Sequence, residues 1–264
     1  KSESLFDFGL LEEISDVIWV GYGQYLYQIN PENFELTKTF ELDTNSELIR
    51  AILADGNYLY IASSMGLYRY NFSTQKAQKV NHLGNYEGNA DSINTKSLLK
   101  KENEGLFVGT VEGLFFLSNE YLKNETTQAE TLVVPKLNIW EIDYFEDQLL
   151  LATNKGLFKY NFDSNNLIKI LKFSQSKYQT TDDNIPDFLK DKSGNYWLAS
   201  RSIGLLKWPP ATTRFSHITS TTNPKLSDAN VWVIHQDRLD DIWVGTSNGL
   251  NQYSAQNQTN QNYL

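Results

Sequence analysis

Residues 242–250 read Ile242-Trp243-Val244-Gly245-Thr246-Ser247-Asn248-Gly249-Leu250. An apolar strand runs into a small residue and a hydroxyl residue, and a short polar turn then leads to Gly-Leu. Related stretches occur five more times, and the six anchor positions, Trp19, Tyr60, Phe107, Leu150, Trp197 and Trp243, are separated by 41, 47, 43, 47 and 46 residues. Short alternating strands repeated at this interval are typical of β-propeller blades. The sequence therefore predicts an all-β propeller of about six blades.

Each repeat is predicted to form a blade of four antiparallel strands. In the last repeat, residues 231–236, 242–246 and 250–253 form the first three strands, joined by turns rich in Asp, Asn and Gly. Outer strands are expected at Phe34–Leu42, Gln75–Val80, Thr131–Val134, Leu167–Phe173 and Arg214–Ile218. The polar residues 255–262 offer none to the sixth blade, so we expect the apolar segment Leu5–Phe8 to complete it and close the ring. The alternative is an open array, part of a seven-bladed or tandem propeller or completed by another chain.

Three columns of the repeat predict the packing between blades. The small residue after the anchor is expected where neighbouring blades approach closely: Gly21, Ala62, Gly109, Ala152, Ala199 and Gly245. A glycine follows four residues later in four copies; the fifth copy reaches Gly204 through a turn longer by one residue, and the first copy has Tyr25 instead. A further apolar column is expected in the core: Ile29, Tyr70, Leu117, Tyr160, Trp208 and Tyr253.

The composition limits the classes of function. The 264 residues carry a net charge of −9 with a pI near 4.9, which argues against binding to nucleic acid or to an anionic membrane surface. The absence of cysteine excludes disulfides, thiol catalysis and thiolate metal sites. No apolar stretch is long enough to span a membrane, and the first residues are not a signal peptide. Because the repeat covers nearly the whole chain, we expect one domain, residues 1–264.

The string NVWVIHQD at 230–237 and the string IWVGTSNGLNQY at 242–253 resemble the repeat of the two-component regulator propeller family. The resemblance extends to all six copies and is weakest in the first, where Tyr22 and Tyr25 replace the Thr and Gly. In that family, extracytoplasmic propellers precede a membrane span and a histidine kinase, hybrid kinase or diguanylate cyclase. Members often have seven blades per propeller, and some carry two propellers and a β-sandwich. The resemblance implies a ligand-sensing role for this chain.

Candidate ligand-binding residues lie at the start of the innermost strands, which line the central channel of a propeller. Alignment of the repeats places one residue of each blade there: Gly9, Arg50, Lys96, Trp140, Pro186 and Trp232. An asparagine precedes this position in four blades: Asn94, Asn138, Asn184 and Asn230. Cations and indoles ringed by amides suit polar or anionic small molecules and sugars. The alternative is structural, with each Asn capping its own turn and each Trp filling the channel wall.

Catalytic and metal-binding constellations do not stand out in the sequence. His82, His217 and His235 have no metal-binding spacing, and His235 is expected to be partly buried and hydrogen-bonded. The carboxylate pairs Glu12-Glu13, Asp182-Asp183 and Asp240-Asp241 are expected on solvated turns, and Asp191–Gly194 is expected to form a hairpin turn, not a calcium loop. We therefore expect neither enzymatic activity nor a cofactor.

The function expected from these observations is an extracytoplasmic, periplasmic sensor domain of a bacterial signal-transduction receptor in the inner membrane. Its expected partners are a small polar ligand or carbohydrate, or another propeller domain, and a homodimer is compatible with this role. Membrane attachment would come only from segments outside this sequence. Two alternatives remain: a protein-interaction scaffold, and a lyase or glycoside-active propeller enzyme, which would need a histidine or carboxylate pair at the channel mouth.

Overall fold

A computed structural model describes residues 8–14, 17–42, 48–80, 93–124, 130–161, 164–171, 183–211, 215–254 and 259–263. These residues form six sheets, each of four strands, and the paired strands are antiparallel. In every sheet the strands follow one another in chain order. The prediction of an all-β fold with six propeller blades of four antiparallel strands is therefore confirmed.

The strand bounds are as follows. The first blade contains β1 (Phe8–Ile14), β2 (Val17–Tyr22), β3 (Tyr25–Ile29) and β4 (Leu36–Glu41), and the second contains β5 (Ile49–Asp55), β6 (Tyr58–Ser63), β7 (Gly66–Asn71) and β8 (Lys76–Val80). The third contains β9 (Thr95–Lys101), β10 (Gly105–Thr110), β11 (Gly113–Ser118), a short helix α1 (Asn119–Asn124) and β12 (Glu130–Pro135). The fourth contains β13 (Ile139–Phe145), β14 (Gln148–Thr153), β15 (Gly156–Asn161) and β16 (Asn166–Lys169). The fifth contains β17 (Asp187–Lys190), β18 (Tyr196–Ser200), β19 (Gly204–Trp208) and β20 (Ser216–Ile218), and the sixth contains β21 (Val231–Gln236), β22 (Ile242–Thr246), β23 (Gly249–Ser254) and β24 (Thr259–Tyr263).

The chain divides into two compact units, residues 1–142 and 143–264. The core of the first unit is built on the buried aromatic and aliphatic side chains of the second and third strands, such as Leu59, Tyr70 and Phe115. The core of the second unit is built in the same way, with Leu157, Trp197 and Trp208 among its buried members. In both units, most of the apolar column predicted for the core is buried.

The hydroxyl residue of the repeat closes the turn between the second and third strands. Thr153 Oγ1 donates a hydrogen bond to the carbonyl of Gly156 (2.8 Å) and accepts one from the Lys155 N–H (3.0 Å). Ser63, Thr110 and Thr246 bond the carbonyl of the matching glycine in the same way. Because these side chains are buried, leaving the turn unbonded would cost about 1–3 kcal/mol per group. This turn explains why the motif has a glycine before its leucine. The residue that ends the turn adopts a positive φ, 110° at Gly156, which favours glycine.

The small residues lie where blades approach closely, as predicted. A Cβ added to Gly21 would come within 2.5 Å of Ile49 Cγ2, and one added to Gly109 within 2.9 Å of Ile139 Cγ2. In both cases the isoleucine opens the innermost strand of the next blade. The predicted longer turn before Gly204 is also present, at Arg201–Ile203.

An aspartate at the first turn of the fifth and sixth blades anchors a tryptophan. Asp191 accepts the Trp197 indole N–H at 2.8 Å and the Asn195 N–H at 2.8 Å, and Asp237 accepts the Trp243 indole N–H at 2.8 Å. Burial raises the pKa of Asp191, but the hydrogen bonds from Trp197 and Asn195 outweigh it and leave the pKa below its usual value. The prediction that Asp191–Gly194 forms a hairpin turn is therefore confirmed.

The fourth strand of the last blade differs from the prediction. Thr259–Tyr263 forms β24 and pairs with β23, so the expectation that the sixth blade lacks its own outer strand is wrong. Closure by residues 5–8 is wrong for the same reason, since Phe8 belongs to β1 of the first blade; residues 5–7 lie outside the described residues. An outer strand needs backbone pairing and no apolar pattern. In β24 a side-chain amide adds a hydrogen bond to the neighbouring strand, since Asn260 Nδ2 donates to Asn251 Oδ1 at 3.1 Å.

Candidate functional site

The structure places the predicted site residues at equivalent positions of the innermost strands. Gly9, Arg50, Lys96, Trp140 and Trp232 are each the second residue of their strand, in β1, β5, β9, β13 and β21, and Pro186 directly precedes β17. Asn94, Asn138, Asn184 and Asn230 each stand two residues before the site residue of their blade. The register inferred from the repeat is therefore the register of the structure.

The asparagines help to hold the strand entrance through their backbone. The carbonyl of Asn94 accepts the Val111 N–H at 3.1 Å, and the carbonyl of Asn230 accepts the Ser247 N–H at 3.0 Å. The carbonyl of Asn184 is used in the same way, by the Arg201 N–H. These bonds tie the start of the innermost strand to the turn between the second and third strands of the same blade. The fold therefore uses a main-chain group at these positions, and any residue type could supply it.

Lys96, Asn138 and Trp140 form one cluster in the first unit. Lys96 Nζ lies 3.1 Å from the centroid of the Trp140 indole and donates a hydrogen bond to Asn138 Oδ1 at 2.7 Å. Lys96 thus joins two blades, since it belongs to β9 while Asn138 and Trp140 stand at the start of β13. A cation held against an indole face is stabilised by about 0.5–2 kcal/mol, depending on how far it is desolvated. Three of the predicted residues are therefore brought together, and one face of Trp140 is covered by the ammonium group.

Three polar side-chain atoms at or near the starts of β9 and β13 are buried. Trp140 Nε1, Asn94 Oδ1 and Ser97 Oγ have no hydrogen-bond partner among the described residues. Leaving such a group unsatisfied costs about 1–3 kcal/mol, so it normally bonds to a water molecule or a ligand. A ligand that contacts Lys96 and Trp140 would meet an ammonium group and, at Trp140 Nε1, an indole N–H.

A second cation–indole pair stands in the second unit. Arg201 Cζ lies 3.5 Å from the centroid of the Trp232 ring, and the Trp232 indole N–H donates to Ser247 Oγ at 2.9 Å. Sequence reasoning did not name Arg201 as a site residue. The sequence does contain an indication of this difference, because Arg201 begins the turn that is one residue longer in the fifth blade than in the others.

Arg50 and Pro186 take no part in either cluster. Arg50 is exposed, and in the described part of the chain no hydrogen bond, ion pair or ring contact joins it to another candidate residue. Pro186 is half-buried at the entrance to β17. Within each unit, the contacts form one cation–indole pair, and a ring of such residues around a channel mouth stays a prediction.

Asp187, next to Pro186, is a half-buried residue that the sequence did not single out. Its Oδ2 accepts the Ile234 N–H at 2.7 Å and so links β17 to β21. Burial raises the pKa of Asp187 to about 7, even though the N–H groups of Ile234 and Phe188 act to lower it.

The histidines within the described ranges are His217 and His235. His235 is exposed, so the expectation that it is partly buried is wrong; His82 lies outside the described residues. His217 is half-buried, its Nε2 bonded to the Ile203 carbonyl, and burial lowers its pKa. Within the described ranges, no three His, Asp or Glu side chains are placed to hold a metal ion.

Two of the carboxylate pairs differ from the expectation of solvated turns. Glu12 and Glu13 lie within strand β1, which extends to Ile14. Asp183 forms an ion pair with Lys169, with its side chain only 22% exposed, and Asp182 is outside the described residues. Asp240 does lie in a turn, where it pairs with Lys192 at 2.5 Å.

Comparison with known proteins supports the resemblance given by the repeat. Residues 225–248, which lead into and contain most of the motif of the sixth blade, match the family described as "Two component regulator propeller". No curated protein matches the chain at the level of sequence.

Solved structures share the fold. The extracellular domain of BT3049 from B. thetaiotaomicron, assigned as a hybrid two component system, is 18% identical, with a TM-score of 0.69 over 96% of this chain and 35% of that one. The extracellular domain of BT4673 from the same organism, assigned likewise, is 19% identical, with a TM-score of 0.61 over 97% of this chain and 41% of that one. A chain of the Mitotic Checkpoint Complex is 13% identical, with a TM-score of 0.63 over 97% of this chain and 76% of that one. This chain thus spans well under half of the two extracellular domains.

No helix in the described ranges is both long enough and apolar enough to cross a bilayer.

Proposed function

We propose that the chain is the sensor portion of a bacterial two-component receptor, located outside the cytoplasm in the periplasm, and that it binds a small polar ligand where the innermost strands begin. The match of residues 225–248 and the fold shared with two extracellular domains support the receptor role. The main support for the ligand site is the cluster in which Lys96 lies against the Trp140 indole. The indole N–H of Trp140 is buried and has no hydrogen-bond partner among the described residues.

The chemistry of the cluster favours a ligand with an acidic group and hydroxyl groups. Lys96 offers a positive charge, and Trp140 Nε1 a hydrogen-bond donor, to a carboxylate. Asn94 Oδ1 is an acceptor for a hydroxyl group. An acidic sugar such as galacturonate combines both, and its apolar ring face suits an indole. The proposal assigns binding and no catalysis to this site.

The experiment is a thermal-shift measurement with galacturonate and, as a matched neutral probe, galactose. A ligand at a hundred times its dissociation constant adds about 2.7 kcal/mol of stability. For a protein of this size the melting temperature should then rise by roughly 5–10 °C. We expect the shift with galacturonate, a smaller one with galactose, and loss of both in Lys96→Met and Trp140→Phe.

Lys101→Met is the matched control, because Lys101 lies at the far end of the same strand and pairs with Glu104 at 2.6 Å. It should keep the response of the unsubstituted protein. A shift that survives both Lys96→Met and Trp140→Phe would refute this site while leaving ligand sensing intact. No shift with either sugar or with other organic acids would refute small-molecule sensing at this cluster.

A protein-interaction scaffold is the second candidate, favoured by exposed apolar side chains on the sixth blade. Val233 and Leu250 are 55% and 41% exposed. Signalling would then depend on a protein contact, such as another propeller domain or a second copy of the chain.

A further inference from the structure

The guanidinium group of Arg201 lies flat on an indole. Arg201 Cζ is 3.5 Å from the centroid of the Trp232 ring. Carbon atoms in van der Waals contact are about 3.5–4.0 Å apart, so an edge-on guanidinium would drive one of its nitrogens into the ring. In the flat arrangement, the N–H groups point outward in the plane of the guanidinium, parallel to the indole. We call Arg201 and Trp232 the stacked pair.

Both members of the stacked pair are anchored by hydrogen bonds of their own. The indole N–H of Trp232 donates to Ser247 Oγ at 2.9 Å. Arg201 begins the turn of the fifth blade, in which Ser200 Oγ accepts the Ile203 N–H at 3.2 Å while the Ile203 side chain is buried in the core of the second unit. The indole and the backbone that carries the guanidinium are therefore fixed before a ligand arrives. Such preorganisation lowers the entropic cost of binding.

The donors of the Arg201 guanidinium are unused in the part of the chain that the structure describes. Within those ranges, no hydrogen bond or ion pair of this side chain is present, and its contact is the ring of Trp232. Asp187 and Asp228, near the starts of β17 and β21, each accept a backbone N–H at 2.7 Å instead. A guanidinium has five N–H donors, so Arg201 is able to bind an acceptor from outside the described residues.

The edge of a guanidinium that lies flat on a ring matches a carboxylate. Two parallel N–H groups of arginine donate to the two carboxylate oxygens in one plane. A carboxylate bound in this way would lie parallel to the indole. A tetrahedral phosphate also pairs with arginine, but it places oxygens out of that plane, including on the side of the negative face of the ring. The geometry therefore favours the planar group.

We propose that the stacked pair is an anion site that takes the carboxylate of a small organic acid, with Arg201 as the hydrogen-bond donor and Trp232 as the platform that keeps the donor flat. In a chain with a net charge of −9, an anion must be held by a local cation with free donors, because the overall field repels it. The site goes beyond the one proposed at Lys96 and does not depend on it, since its residues all belong to the second unit.

The chain contains only five arginines, so their side-chain signals can be observed one by one. Nitrogen-15 spectra of the Nε–H groups are recorded while the protein is titrated with acetate and, separately, with inorganic phosphate, at constant ionic strength. We expect a saturable downfield shift of the Arg201 Nε–H with acetate and weaker binding of phosphate. Arg238, which is exposed on a turn of the same unit, is the internal control and should show no saturable shift.

Two variants separate the roles of the stacked pair. Arg201→Lys keeps the charge but loses the paired N–H edge, so the affinity for acetate, read from the Trp232 indole N–H, should fall about tenfold. Trp232→Leu removes the platform, and the saturable shift of the Arg201 Nε–H should be lost. Arg238→Lys is the matched control and should bind acetate like the unsubstituted protein. The signals of the other indoles show whether each variant is folded.

The contrary outcomes are distinct. The absence of a saturable shift at Arg201 with either anion would overturn the site, and phosphate binding as tight as that of acetate would overturn its assignment to a carboxylate. An acetate affinity unchanged in Arg201→Lys, or an Arg201 shift that survives in Trp232→Leu, would equally contradict the proposal. The Trp140 indole N–H reports on the Lys96 cluster in the same spectra, so the failure of either proposal is seen separately.

Discussion

Asp187 should make the stability of the second unit fall as the pH rises. Its carboxyl has a pKa near 3.8 in an unfolded chain, and burial raises that value to about 7 in the folded protein. The folded state therefore holds the proton more tightly than the unfolded chain does. Stability from this group is complete below the unfolded pKa and is lost as the pH rises through the folded one. A difference of about three pKa units corresponds to up to about 4 kcal/mol.

The perturbation that isolates this effect is Asp187→Asn. The amide has nearly the same shape and its oxygen can still accept the Ile234 N–H, but it carries no titrating proton. Unfolding by urea is followed by tryptophan fluorescence, to which four of the six tryptophans, Trp197, Trp208, Trp232 and Trp243, contribute from the second unit. The variant should gain up to about 4 kcal/mol relative to the unsubstituted protein between pH 4 and pH 8. Because both proteins share every other titrating group, those contributions cancel in the comparison.

The matched control is Asp237→Asn, which should show a dependence of the opposite sign. The Trp243 indole N–H holds the pKa of Asp237 below its usual value, so the charged form stabilises the folded state and that contribution is lost as the pH falls. This variant should therefore lose stability, relative to the unsubstituted protein, as the pH rises toward the unfolded pKa of 3.8, and the difference should then stay constant up to pH 8. A difference between Asp187→Asn and the unsubstituted protein that stays constant from pH 4 to pH 8 would refute the reasoning about the buried carboxyl.

Three further substitutions test the packing. Gly109→Ala should cost about 1–3 kcal/mol in urea denaturation, because its methyl group would come within 2.2 Å of Ser97 Oγ and 2.9 Å of Ile139 Cγ2 on the next blade, and an unchanged urea midpoint would contradict the packing described. Thr153→Val should cost about 1–3 kcal/mol, since a buried turn loses its hydrogen bonds, and an unchanged urea midpoint would show that the turn needs no hydroxyl. Trp197→Phe removes the N–H that helps to hold the pKa of Asp191 low, so its destabilisation should be greater at pH 7 than at pH 3; the reverse order would contradict this assignment.

The fold could be predicted because the information in each blade is local. The hydroxyl residue and the glycine form one turn through bonds that span only three residues, as at Thr153 and Gly156. The small residue before them marks the close approach of the next blade, as at Gly109. A repeated turn of this kind fixes the register of the two strands that it joins, and hence the positions of the rest of the blade.

The last strand could not be predicted from its composition. The prediction assumed that an outer strand needs apolar residues, yet β24 contains only one aromatic residue and no aliphatic ones. Tyr263 stacks on Trp243 with ring centroids 5.6 Å apart, and Asn260 bonds to Asn251. An edge strand whose side chains are mostly exposed gains its stability from backbone pairing, and a pattern of hydrophobic residues carries no information about that.

The candidate site was predictable in position and not in its contacts. The repeat places Lys96, Trp140 and Trp232 at one register, but which cation meets which indole depends on side-chain length and on the turn of the neighbouring blade. Lys96 reaches forward to Trp140 from the equivalent position, whereas Trp232 receives Arg201 from a turn with an extra residue. Asp187 was missed because its hydrogen-bond partner, the Ile234 N–H of β21, is 47 residues away in the sequence.

These contacts also explain why the side chain at the second position of the innermost strand can differ between blades. The entrance of the innermost strand is fixed by the carbonyl of residues such as Asn94 and by buried neighbours such as Thr95, whose Oγ1 accepts the Ser63 N–H at 2.8 Å. The position that follows, Lys96, serves neither of these bonds. Its side chain is only partly buried and can change between blades without disturbing the strand. The side chain at this position can therefore differ from blade to blade, while the main chain and the alternate residues maintain the blade.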